Sequence, residues 1–113
     1  MEAQATLKYA RTSPRKAQLV ADAIKGKMVG EALSMLDLSI KKSVAHDMAK
    51  VVKAAVANMQ SKNTETNIDV DDLRIGDVQV GQGPSMRRFR ARAQGRVGQI
   101  IKRMCHITVK VMN

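Results

Sequence analysis

The sequence predicts an α+β domain: a small three-stranded antiparallel sheet packed on three helices, with a long basic β-hairpin extension. Three observations carry that prediction. Near both ends of the chain apolar residues alternate with polar ones, the period of a half-buried strand. Between those ends apolar positions recur at helical spacing. The stretch 81–98 is rich in arginine and glycine and holds too few apolar side chains to join a core. With 113 residues in all, the chain is read as one domain, 1–113, including a protruding hairpin at about 81–100.

At the start, Ala3, Ala5, Leu7 and Tyr9 alternate with Gln4, Thr6 and Lys8, which predicts a strand with one buried face. Ser13-Pro14 reads as a helix start, with Ser13 as N-cap and Pro14 at the first helical position. Ala17, Val20, Ala21 and Ile24 form its apolar stripe, and Gly26 is the natural stop. A short second helix over about 30–37 turns Ala32, Leu33 and Leu36 inward. The third helix is expected over about 39–61, with Ile40, Val44, Met48, Val51, Val52, Ala55 and Met59 in one arc. Lys42, His46, Lys50 and Lys53 fall in another arc, read as a solvated face.

Residues 62–67 are polar and loop-like, and Asp69, Asp71 and Asp72 mark a turn. They lack the glycine and terminal glutamate of a calcium loop. Leu73, Ile75, Val78 and Val80 predict the next strand, whose alternation slips near Gly76 as a bulge requires. Cys105, Ile107, Val109 and Val111 alternate in the last strand. One Tyr, one Phe and no Trp leave the core to aliphatic residues and methionine.

Charge is distributed unevenly. Residues 1–77 hold 12 basic and 10 acidic side chains, whereas 78–113 hold 8 basic and none acidic. Such an excess repels itself unless an anionic partner neutralises it, and nucleic acid is the usual partner. Arg87, Arg88, Arg90, Arg92 and Arg96 lie within ten positions, followed by Lys102 and Arg103. Arginine engages phosphate through a bidentate fork and stacks on bases. Ordering about 20 such residues costs on the order of 20–40 kcal/mol of backbone entropy. A whole domain is stable by only about 5–15 kcal/mol, so the segment is expected to be mobile until a partner orders it. Arg11, Arg15 and Lys16 surround the predicted helix start, where cations are unfavourable alone but sensible around a bound phosphate. Without an aromatic platform on the sheet, recognition is expected to rest on phosphates, RNA shape and arginine stacking.

Catalytic patterns fail on inspection. Ser13 and Lys16 have the spacing of one acyl-enzyme class, but the companion elements are missing and a helix cap accounts for Ser13. Gly26-Lys27 lacks the rest of a phosphate loop, with Ala21 and Met28 at the defining positions. His46, His106 and a single cysteine make no zinc set, and Cys105 is placed in the core. No catalytic residue, metal site, cofactor or small-molecule substrate is expected. One cysteine, no apolar run of about 20 residues and no signal-peptide pattern lead to a cytoplasmic expectation without membrane contact.

The ordered motifs resemble a family. Ala10-Arg11-Thr12-Ser13-Pro14-Arg15-Lys16, Leu19-Val20-Ala21-Asp22 and Ile24-Lys25-Gly26-Lys27 resemble the opening of the bacterial large-subunit ribosomal protein L-twenty-two family. Gly83-Pro84-Ser85-Met86-Arg87-Arg88, Arg92-Ala93-Gln94-Gly95-Arg96 and His106-Ile107-Thr108-Val109 match its later part. The resemblance implies binding of large-subunit rRNA, a role early in assembly, and a globular part on the subunit surface near the polypeptide exit. It also implies a hairpin lining the nascent-peptide tunnel, with neighbouring ribosomal proteins and the nascent chain as further partners. Met86, Arg87 and Arg88 match the tip region that faces the tunnel and influences macrolide access in the family. Gln82 stands where an acid often precedes Gly-Pro, and Ala91 where proline is common, so this hairpin arm lacks the constraint that proline would impose. The rival reading is an architectural DNA-binding protein with a basic β-arm. Pro84 beside the arm's base, rather than at its tip, argues against it.

Overall fold

The computed structural model describes residues 2–62, 69–91 and 93–113, with the side chain of Val70 left aside. Its strands are β1 (Glu2–Ala10), β2 (Arg74–Gln82), β3 (Met86–Ala91), β4 (Val97–Lys102) and β5 (Cys105–Met112). Its helices are α1 (Pro14–Ile24), α2 (Val29–Asp37) and α3 (Lys42–Lys62). The three-stranded antiparallel sheet has the order β1-β5-β2, and β3-β4 form a separate two-stranded arm. The α+β expectation is thus met in class and in element order.

β5 holds the centre of the sheet because its period of two is unbroken. Cys105, Ile107, Val109 and Val111 are all fully buried, while the residues between them stay half-buried. The helices cover that one face, α1 over β2 and α3 over β1 and β5. α1 starts as expected: Ser13 caps it by accepting from the Lys16 N–H at 3.4 Å, Pro14 stands in the first turn, and Ala17, Val20, Ala21 and Ile24 are buried. Gly26 follows at φ +80°, the left-handed conformation that favours glycine. From there the chain runs along the start of β2, where the Gly26 N–H donates to the Ile75 carbonyl at 3.0 Å and the Ile75 N–H to that of Lys27 at 2.8 Å.

The bulge expected near Gly76 is present: Ile75 pairs with Val111 but Asp77 with Lys110, leaving Gly76 as the extra residue. A Cβ at Gly76 would stand 2.8 Å from the Met112 sulfur, so glycine fits the close approach. Asp69 begins the expected turn, its carboxylate accepting from the Asp71 N–H at 3.0 Å ahead of a 3-10 turn at Val70–Asp72.

Three details differ from the sequence expectation. Tyr9 is not on the inner face: β1 has its own bulge between Leu7 and Ala10, and Ala10 takes the buried place. Tyr9 adopts φ +61° and is 58% exposed. Its N–H donates to His106 Nδ1 at 3.1 Å, and its ring meets the imidazole edge-on at 5.1 Å. The second difference is that α3 starts at Lys42, and Ile40, expected in its stripe, is 97% exposed. A local turn holds Ser39–Lys41 instead, with the Ser39 hydroxyl accepting from the Lys41 N–H at 3.3 Å. The third concerns the arm. Gly81 and Gln82 still pair with His106 and Cys105 in the main sheet, so the projection begins at Gly83, whose N–H donates to the Met104 carbonyl at 3.0 Å.

The arm changes the shape of the molecule. The radius of gyration is 17.1 Å and the extents are 65 × 25 × 15 Å, against about 13 Å for a compact chain of this length.

Candidate nucleic-acid interface

The first part of the interface is a groove of about 840 Å³ where three segments meet. Arg11 and Lys16 come from the start of α1, Lys41 and Lys42 from the start of α3, and Lys102 and Arg103 from the base of the arm. Neither helix has an acid in its first turn. Both N-termini therefore add their partial positive charge to that of six side chains. Among the described residues, the ion pairs are Lys25–Asp77, Lys27–Glu31 and Lys110–Glu2, and none engages a groove cation. All six are exposed. The arrangement suits a polyanion whose phosphates replace the missing carboxylates.

Sequence reasoning placed Arg11, Lys16, Lys102 and Arg103 among the binding residues, and the structure brings these four together. Arg15 is exposed on the first turn of α1 but does not line the groove. Lys41 is not singled out by the sequence, and Lys42 falls on the stripe of α3 read as solvated. Both are cations at a helix start, the same signal that singled out Arg15 and Lys16. Of the remaining stripe, His46, Lys50 and Lys53 are exposed along α3.

The second part is the arm. Six cross-strand pairs join it, from Met86↔Lys102 to Ala91↔Val97, and its turn lies at Ala93–Gly95. Gln94 and Gly95 both have positive φ there. Met86, Arg87 and Arg88 therefore sit at the base of the arm, and the tip position expected of them is corrected. Arg87, Arg88, Arg90 and Arg96 are exposed, while Arg92 lies outside the described residues. Because directly paired residues share a face, the register sorts the arm into two sides. Met86, Arg88, Arg90 and Lys102 share one with Gly98 and Ile100; Arg87, Phe89 and Ala91 share the other with Val97, Gln99 and Ile101.

The groups that could carry covalent chemistry are placed elsewhere. Cys105 is fully buried under the sheet, and desolvation, reinforced by the nearby charge of Asp47, pushes its thiol pKa up. That disfavours the thiolate. Asp77 is held below the usual carboxylate range mainly by its bond to Lys25, a contact that ties α1 to β2.

A small α+β platform that displays cations from a groove and an acid-free arm, with its one thiol locked in the core, defines a scaffold that binds a polyanion. Its family is more specific. The chain belongs to the family described as Ribosomal protein L22p/L17e, which it matches over residues 5–112. It is accordingly a structural ribosomal protein that binds rRNA, with other ribosomal proteins as neighbours, and the family is not one of enzymes.

Proposed function

We propose that the whole chain, 1–113, acts as one domain of the large ribosomal subunit, gripping large-subunit rRNA with both groove and arm. The observation that carries this reading is the set of cations without carboxylate partners among the described residues: six in the groove, and Arg87, Arg88, Arg90 and Arg96 on the arm. Arg15 and Arg92 join the same contact by sequence position. The groove anchors the platform while the arm reaches between RNA segments, which suits a protein that joins the subunit early in its assembly. The arm runs along the nascent-peptide tunnel, with Met86, Arg87 and Arg88 at its base facing the passing polypeptide. The working location is the cytoplasmic ribosome, and no cofactor takes part.

Competition at matched salt between folded large-subunit rRNA fragments and duplex DNA tests the binding claim. Preference for the rRNA is expected, and equal affinity would instead support an architectural DNA-binding role. The protein should also stay with large subunits after a high-salt wash.

A further inference from the structure

The arm exposes the only Phe of the chain, and nothing in phosphate binding uses it. Phe89 is 75% exposed, although burying such a side chain elsewhere would be worth about 1.5–3 kcal/mol. It stands at the centre of one face of the arm rather than at a frayed end. Gln99 lies directly across the ladder, Arg87 and Ala91 flank it on its own strand, and Ile101 and Val97 occupy the diagonal places. The opposite face carries Arg88, Arg90 and Lys102. The two faces thus differ in chemistry: one offers three cations to a phosphate chain, the other an aromatic ring beside an amide and a guanidinium, with Val97 and Ile101 exposed at its diagonals.

We infer that Phe89 is the platform of a base-stacking subsite: an unpaired RNA base lies on its ring, Gln99 hydrogen-bonds the base edge, and Arg87 holds the adjoining phosphate. Every base has a π-face, so a single exposed ring accepts it without a preformed pocket. The amide of Gln99 offers both a donor and an acceptor to a base edge. Charge argues for RNA as the occupant rather than a protein surface, because residues 78–113 contain no acid, Arg87 shares the face of Phe89, and Arg88 and Arg90 stand on the reverse of the same strand. The inference rests on the rRNA-binding reading but separates from it. Stacking is a contact without charge, whereas phosphate contacts govern salt dependence.

The test uses the full chain and a large-subunit rRNA transcript. Phe89→Ala should weaken binding roughly tenfold, with an unchanged slope of affinity against salt and an unchanged melting temperature. Phe89→Leu should behave like Phe89→Ala, since it keeps apolar bulk but not the ring. Phe89→Trp should restore affinity and, as the only Trp in the chain, lose fluorescence when the transcript is added. Wild-type affinity in Phe89→Ala, or rescue by Phe89→Leu, would overturn the subsite and point to an apolar protein or peptide contact. An unquenched Trp in a complex that still forms would overturn it as well. If the unaltered chain fails to bind the transcript, the rRNA-binding reading falls first and the subsite with it.

Discussion

The platform and the arm are built on opposite physical terms. In the platform, aliphatic side chains from all three helices and the central sheet are buried together, and no polar or charged residue is buried among the described residues. In the arm, none of the described side chains is buried, and Phe89, Val97 and Ile101 are exposed beside the arginines. The first arrangement stabilises the chain by itself. The second has only the ladder of a two-stranded ribbon, which is marginal alone in water. Stability therefore rests on the platform, whereas binding is shared between the arm and the groove, where two helix starts of the platform face the base of the arm.

That division can be broken at several points, in decreasing order of expected effect. Ile107→Ala removes a fully buried side chain from the central strand and should lower unfolding free energy by about 2–5 kcal/mol in urea titration. The arm contributes nothing comparable. In hydrogen exchange of the free protein, amides of β3 and β4 should exchange rapidly while those of β5 stay protected; equal protection would make the arm part of the cooperative core. Ser13→Ala touches both regions, because the cap orders the groove edge of α1. About 1 kcal/mol of stability should disappear, and Ser13→Asp should recover it while weakening rRNA binding.

The smallest effect belongs to Asp77. Its carboxyl is held low in the folded state by Lys25, so the contact stabilises the fold above the ordinary carboxylate range. That contribution fades as pH falls through the lowered folded value. Both partners are well exposed, so screening keeps the effect small. Asp77→Asn should flatten that acid limb of the stability curve and leave rRNA binding near neutral pH unchanged.

The platform was largely legible because its signals are local. Alternation in β5, the cap and stripe of α1, and the slip at Gly76 each lie within a few residues of one another. Where local rules failed, a second rule of similar strength opposed them. Tyr9 fits a period of two, yet a bulge turns it out to His106. Ile40 fits the helical period, yet the Ser39 hydroxyl competes for the backbone just before α3. The arm's composition is readable, but its turn at Gln94 and Gly95 is not distinguished by sequence from the base at Met86–Arg88. The groove was only half legible. Its six cations come from three segments far apart in sequence, and only the fold reveals that Lys41 and Lys42 stand beside Arg11 and Arg103.

The most direct test of the division between platform and arm is the quadruple variant Arg87→Ala, Arg88→Ala, Arg90→Ala, Arg92→Ala, measured for both thermal unfolding and the salt dependence of rRNA binding. Removing one arginine–phosphate pair should reduce the slope of log affinity against log salt by about 0.7–0.9. A slope reduced by roughly 3 in the quadruple variant, with the melting temperature unchanged, is the predicted result. An unchanged slope, or a collapsed fold, would contradict the assignment of phosphate contacts to the arm and of stability to the platform.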